Sequence, residues 1–160
     1  MMSWADLGLI MIQRLLGRAV MTETARFMVI DPPGREQRFY AKFLPRLDHG
    51  DAAVRVAQDR LAQHGASGVA VTEMARWAQL EDKTFVRRFH KATGHRPTEY
   101  SQRLRIEKAR ELLETTVAQI GMIAQDVGYA DPASFRKIFT RITGLSPGEY
   151  RKRFGRLHPA

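Results

Sequence analysis

Apolar residues recur at helical spacing along most of the chain, and no stretch alternates convincingly with the period of two expected for a half-buried strand. Near the start, one helical stripe that stops at Gly17 contains Trp4, Leu7, Met11 and Leu15. A second apolar segment covers about residues 18–29. The pattern predicts an all-α protein whose first two helices span about residues 3–17 and 18–29.

The chain from residue 51 onward is predicted to be helical almost throughout. Asp51 is placed to cap a helix that ends near His64. Further helical regions are predicted at about residues 71–94, 97–114 and 117–144, and from Pro147 onward. Residues 31–49, which contain two consecutive prolines, are predicted to be an irregular linker.

One segment occurs twice, fifty residues apart. The residues that recur in register are Phe85, Phe89, Thr93, Gly94, Pro97, Glu99 and Tyr100 in the first copy, and Phe135, Phe139, Thr143, Gly144, Pro147, Glu149 and Tyr150 in the second. Two phenylalanines four residues apart share one helical face, the glycine ends that helix, and the proline begins the next one. The repeat predicts two copies of one compact unit.

A short helical segment precedes each copy of the repeat. Ala75 and Ala124 supply small residues on the apolar faces of these segments, where two helices could cross closely. A tight turn follows each segment, with Leu80 in the first copy and Gly128 and Tyr129 in the second. A helix, a short turn and a second helix with a basic outer face are typical of a helix-turn-helix that binds DNA.

If the phenylalanines mark the buried face, the opposite face of each second helix is exposed and basic. The N-terminal half of a recognition helix enters the major groove, so the candidates for reading base edges are Lys83, Thr84, Arg87, Ala133, Arg136 and Lys137. The candidates for contacting phosphates are Arg88, Lys91, Arg96, Arg141 and Arg151. Because the two reading faces differ, we expect an asymmetric DNA site, with the two helices in major grooves about one turn apart.

The net charge of the chain supports the interpretation as a nucleic-acid-binding protein. The chain carries a formal charge of +9 with a pI near 10.5, which favours a polyanionic partner. Residues 1–50 contain seven Lys or Arg against five Asp or Glu, whereas residues 51–160 contain nineteen against twelve. The positive charge is therefore concentrated in the part that holds the repeat.

Catalytic and metal chemistry find little support in the sequence. The chain has no cysteine, which excludes disulfides, thiolate zinc sites and a cysteine nucleophile. The five histidines show no paired metal-ligand spacing on one helical face. We therefore expect no enzyme activity, no metal and no cofactor.

No secretory signal or stretch long enough to span a bilayer is evident, so the expected location is the cytoplasm and no membrane association is predicted.

The combined motifs resemble the DNA-binding domain of AraC/XylS-type bacterial transcription regulators over about residues 52–155. The residues that carry the resemblance are the stretches 105–113, 120–129 and 135–139 and the segment Gly144–Arg151. The family implies seven helices, with two helix-turn-helix units joined by a long helix. It also implies promoter binding that activates or represses transcription, often through contact with RNA polymerase.

The first fifty residues are similar to the C-terminal end of a PfpI-like, amidotransferase-fold domain. Trp4, Asp6, Leu7, Leu15–Gly17, Thr24–Arg26 and Arg35–Gln37 carry this weaker likeness. The predicted domain organisation is a helical remnant and linker over residues 1–49, followed by an AraC-type double helix-turn-helix domain over residues 50–157. The apolar N-terminal helices also suggest a homodimer.

The first helix-turn-helix departs from the family pattern in its turn. Gln79 stands where a glycine is usual, and Glu81 stands where a capping serine is common. These departures leave open an alternative, in which the chain is a protein-interaction or dimerisation module with lost or non-specific DNA binding. Salt separates the two hypotheses, because DNA binding weakens steeply with ionic strength and an apolar interface barely responds.

Overall fold

The computed structural model describes residues 4–28, 42–64 and 68–155, and all regular secondary structure within them is helical. The helices are α1 (Trp4–Phe27), α2 (Ala52–His64), α3 (Val71–Trp77), α4 (Asp82–Thr93), α5 (Pro97–Thr115), α6 (Ile120–Asp126), α7 (Pro132–Thr143) and α8 (Pro147–Phe154). The chain forms two compact units, an N-terminal unit of residues 1–41 and a C-terminal unit of residues 42–160. In the described ranges, no helix is both long and apolar enough to cross a membrane.

Helix α1 of the N-terminal unit is interrupted at Gly17. The glycine has φ 87° and ψ 170°, which are outside the helical region, so two helical segments meet there as the apolar pattern predicts. Leu9 and Met21, one from each segment, are buried together with Ile12 packed against them. Several other apolar side chains of this helix are exposed, including Leu7, Met11, Leu15 and Leu16.

The described residues of the C-terminal unit form seven helices arranged as two similar halves, which confirms the predicted architecture. Helices α2, α3 and α4 contact one another in the first half, and α6, α7 and α8 form the second half. Helix α5 contacts α4 and also α6, α7 and α8, so it joins the halves. Its 19 residues span about 28 Å at 1.5 Å per residue.

The same cluster of three aromatic rings lies in the core of each half. The rings of Phe85 and Phe89 lie 5.3 Å apart, and Phe89 meets Tyr100 edge-on at 5.1 Å. In the second half the corresponding distances are 5.6 Å for Phe135 and Phe139 and 5.5 Å for Phe139 and Tyr150. All six rings are at most 3% exposed, and so are Ala75 and Ala124, as the sequence predicts. The repeated residues are therefore repeated core positions.

A threonine that recurs in the repeat is the last residue of each recognition helix. The hydroxyl of Thr93 donates to the carbonyl oxygen of Phe89 at 2.8 Å and accepts from the backbone N–H of His95 at 3.2 Å. Thr143 makes the equivalent bonds, to Phe139 at 2.8 Å and from Leu145 at 3.3 Å. Since both threonines are buried, these hydroxyls satisfy backbone groups that the helix end would otherwise leave without partners.

The segment of residues 42–49 has no regular secondary structure, but it packs on the C-terminal unit. The ring of Phe43 meets Tyr100 edge-on at 5.1 Å, and its backbone N–H donates to Oε1 of Glu107 at 3.1 Å. The side chain of Gln58, which is 2% exposed, donates through Nε2 to the carbonyl oxygen of Arg46 and to the hydroxyl of Tyr100, both at 3.0 Å. The end of the predicted linker is thus fixed to α2 and α5.

The turns of the two helix-turn-helix units have the same backbone hydrogen bonds. The N–H of Leu80 donates to the carbonyl of Ala75 at 3.0 Å, and that of Tyr129 donates to Ala124 at 2.8 Å. This pattern requires a left-handed residue just before the donor. Gly128 takes that conformation with φ 83°, and Gln79 takes it with φ 53°. Gln79 is thereby strained by roughly 1–2 kcal/mol.

Replacing Gln79 with glycine should stabilise the protein. Relief of the left-handed strain exceeds the added entropy of the unfolded chain, so we expect a gain of about 0.5–1 kcal/mol in the free energy of unfolding. Urea unfolding measures this change. The matched control is Ala62→Gly at an exposed position of α2, which should lower stability by about 0.5–1 kcal/mol because that position is helical. A lower urea midpoint for Gln79→Gly would contradict the assignment of strain.

Candidate nucleic-acid interface

The second helix of each helix-turn-helix presents a polar face to solvent because its phenylalanines are buried. On α4, Lys83 and Arg87 are exposed and Thr84 is partly buried. On α7, Ala133, Arg136 and Lys137 are exposed. The six residues predicted to read bases therefore lie on two solvent-facing surfaces, which we call the first and second reading faces.

The basic side chains of both reading faces have no partners among the residues that the structure describes. Across the described ranges, Lys83, Arg87, Arg136 and Lys137 form no ion pair and no side-chain hydrogen bond. Most other arginines of the C-terminal unit have such contacts, as Arg55 has with Asp59 and Arg103 with Glu99. The reading faces thus hold unneutralised positive charge that is available to an external anion.

Arg88, one of the predicted phosphate contacts, is held by an aspartate. Its Nε lies 2.9 Å from Oδ2 of Asp51, and its Nη2 lies 2.7 Å from Oδ1. Oδ1 of Asp51 also accepts from the backbone N–H of Val54 at 3.1 Å, which is the helix cap that the sequence predicts. The side-chain hydrogen bond from Arg88 is the main cause that lowers the pKa of Asp51. This pair ties the recognition helix α4 to the start of α2.

The remaining predicted phosphate contacts fall into two groups. Lys91 and Arg96 are exposed, with no ion pair or side-chain hydrogen bond among the described residues. Arg141 donates to Oε1 of Gln102 at 2.8 Å, and Arg151 donates to the carbonyl oxygen of Ala118 at 2.6 Å. Lys91 and Arg96 are therefore the two whose charged groups have no competing partner.

The N-termini of the two recognition helices differ in their caps. Asp131 begins α7 and accepts hydrogen bonds from the backbone N–H groups of Ala133 at 3.0 Å and Ser134 at 2.9 Å. A hydrogen bond from the Ser134 hydroxyl is the main cause that lowers the pKa of Asp131, and the two backbone bonds lower it further. Glu81 occupies the same position before α4 and makes no side-chain cap. The second recognition helix is therefore better anchored at the end that would enter a groove.

Two features of this region were missed by the sequence analysis. Gln58 gave no signal because a single polar residue on a helix does not indicate which distant groups it will meet. The packing of Phe43 against Tyr100 was missed for the same reason, since it joins residues 57 positions apart in the sequence. Among the residues that the structure describes, no three His, Cys, Asp or Glu side chains are arranged to hold a metal ion.

The chain matches the family model of a helix-turn-helix domain over residues 74–153. It is 34% identical over 102 residues to an AraC-like transcription regulator of Streptomyces antibioticus, an alignment that covers 64% of this chain and 34% of that protein. It is 31% identical over 93 residues to the MmsAB operon regulatory protein of Pseudomonas aeruginosa, covering 58% and 30% respectively.

Its structure is also similar to the DNA-binding domain of AdpA, a global transcriptional factor solved in complex with a target DNA. The TM-score is 0.61 and the sequence identity 28%, over 64% of this chain and 92% of that domain. The fold is therefore that of a double helix-turn-helix domain. The chain belongs to the AraC-type helix-turn-helix family of transcription regulators. It spans 30–45% of the length of the first curated relatives it matches. The likeness of residues 1–49 to a PfpI-like domain stays a prediction.

The pair between Asp51 and Arg88 predicts a pH-dependent contribution to stability. The folded-state pKa of Asp51 is lowered, so this contribution is fully present above the unfolded value of about 3.9 and is lost as the pH falls through the folded value. We expect Asp51→Asn to lower the urea midpoint at about pH 7, with the difference from the parent shrinking toward zero near pH 2. Arg88→Ala should cause a similar loss at neutral pH, and the loss in the double variant should be smaller than the two single losses added together. An undiminished difference at low pH would contradict this account.

Proposed function

We propose that this chain is the DNA-binding part of a sequence-specific transcription regulator, and that α4 and α7 enter successive major grooves of one duplex. The observation that carries the proposal is the presence of two exposed basic reading faces, each without a partner in the described protein and each on the second helix of a helix-turn-helix. The DNA complex of AdpA supports it, because that domain shares this fold.

The two reading faces differ, and this difference supports an asymmetric DNA site. The first offers Lys83 and Arg87 at positions one helical turn apart. The second has Ala133 at the position equivalent to Lys83, and it carries adjacent Arg136 and Lys137 one turn later. Arg and Lys donate to guanine O6 and N7, whereas alanine can contact a thymine methyl group. One chain should therefore read two dissimilar motifs about one turn of DNA apart.

Two carboxylates lie at the N-terminal end of the first reading face. Glu81 and Asp82 are both exposed at the start of α4, where they favour the helix dipole but repel phosphate. The second recognition helix starts with Asp131, whose carboxylate accepts hydrogen bonds from the first backbone N–H groups of that helix. We therefore infer that the second reading face carries at least as much of the affinity as the first.

Rounds of selection from random duplexes, with binding followed by fluorescence anisotropy, test this proposal. The parent should select two dissimilar motifs about one turn apart. Arg87→Ala should relax the base preference in one motif and Lys137→Ala in the other, each by about 1–3 kcal/mol of discrimination. Lys108→Ala is the matched control, because it removes one positive charge from an exposed position on α5 that pairs with Glu111.

Two results would overturn the proposal. One is a consensus that forms a perfect inverted repeat for a single monomer, since that site could not match two different reading faces. The other is weak binding without base preference that modest salt abolishes. That result would favour the interaction module instead.

Two further partners stay predictions. Contact with RNA polymerase, and the choice between activation and repression, rest on the family resemblance alone. A homodimer through the N-terminal helices is suggested by the exposed apolar side chains of α1, of which Leu15 is 76% and Leu16 64% exposed. We also propose a cytoplasmic location, where a bacterial DNA-binding regulator would meet its DNA.

A further inference from the structure

A cleft of about 480 Å³ lies beside the first recognition helix and is bordered by the segment that precedes α2. Its lining includes Arg46, His49, Gly50 and Asp51 from the segment before α2, and Arg88 and Lys91 from α4. These two groups of lining residues are about forty positions apart in the sequence. Nothing in the helix-turn-helix pattern predicts this cleft, because the residues that complete it precede the repeat.

The cleft carries a net positive charge. Asp51 is the acidic group of the lining, and Arg88 neutralises it through two hydrogen bonds. Lys91 is exposed and, within the described ranges, unpaired. Arg46 lies 3.2 Å from Asp48, but both side chains are largely exposed, at 62% and 85%, so this pair is weak and readily exchanged for another anion. Two cationic groups are therefore left for a ligand.

The segment that carries Arg46 is held in place before any ligand arrives. The backbone carbonyl of Arg46 accepts from Gln58, and that of Leu47 accepts from Arg55 at 3.2 Å. Nδ1 of His49 accepts from the backbone N–H of Asp51 at 3.0 Å, which leaves its Nε2–H to donate to Oε1 of Gln58 at 2.8 Å. Because the backbone is already ordered, binding at this cleft requires the ordering of two side chains but not of the segment that carries Arg46.

The position of the cleft relative to the first reading face indicates what kind of ligand it would meet. Lys91 is one helical turn beyond Arg87 on α4, so the cleft borders the C-terminal half of the recognition helix. When the N-terminal half of such a helix reads bases, its C-terminal end lies against the sugar-phosphate backbone at the rim of the groove. A phosphodiester at that rim would be within the range of both cleft cations.

We propose that this cleft binds a phosphodiester of the DNA backbone through Arg46 and Lys91, so that the segment before α2 is part of the DNA interface. The proposal rests on the proposed function as a DNA-binding regulator. It extends the interface beyond the two reading faces. It also gives Arg88 a structural role, in which it neutralises Asp51 so that a phosphate can approach.

Salt titration of DNA binding tests the cleft with the variants Arg46→Gln, Lys91→Gln and the double variant. The probes are the duplex selected by the parent and a random duplex of the same length. The double variant should bind both duplexes more weakly by the same factor, roughly eightfold near 0.1 M salt, and each single variant should lose less. That factor follows from a slope of about 0.9 in log K against log salt for each phosphate that the protein no longer neutralises. The slope should fall by about one in the double variant and by less in each single variant, and base preference should not change.

The control is again Lys108→Ala, which removes one charge from α5, away from the cleft lining. Both cleft side chains are exposed, so the urea midpoints of the variants should match that of the parent. If the cleft variants bind both duplexes as the control does, the cleft proposal is overturned while the proposed function stands. Altered base preference would also overturn it, because the residues would then read sequence. A parent that binds no duplex overturns both proposals.

Discussion

The burial of two phenylalanines on each second helix is the constraint on which the rest of the structure depends. Phe85 and Phe89, and equally Phe135 and Phe139, are completely buried, and the second ring of each pair meets a tyrosine of the following helix edge-on. Removing one such ring from a core typically costs about 3–5 kcal/mol, so the rotation of each helix about its axis is strongly fixed. The opposite face then has to meet solvent, and the basic residues of both reading faces lie there.

The two halves share this core but differ in the turn residues and helix caps that surround it. In the second half, Gly128 takes the left-handed position without strain, Asp131 caps α7, and Ser146 and Glu149 form a reciprocal capping box at α8. In the first half, Gln79 is strained, and neither α4 nor α5 has a side-chain cap at its start. The first half gains other support instead, from the ion pair of Asp51 with Arg88 and from the packed segment of residues 42–49. The two halves thus reach similar architecture by two different sets of contacts.

The parts of this structure that sequence can predict are those governed by local rules. The phenylalanines predict which helix faces are buried. Gly94 and Gly144 predict where helices end, and Pro97 and Pro147 predict where the next helices begin. The structure confirms these predictions. The left-handed conformation of Gln79 could be anticipated because Gly128 occupies the equivalent position. The ion pair between Arg88 and Asp51 could not be anticipated, because it joins residues 37 positions apart and depends on how α2 and α4 pack. The same holds for Gln58, whose burial and three partners arise only when the segment of residues 42–49 folds back onto α2.

The central claim is that both recognition helices lie in major grooves of the same duplex, and methylation interference at guanine N7 tests it most directly. Methylation of N7 places a group on the major-groove edge that Arg and Lys would read. With the duplex selected by the parent, the account predicts two clusters of interfering guanines about one helical turn apart on one face of the DNA. A single cluster would show that only one of the two helices reads bases, and uniform, weak interference along the duplex would show that neither does.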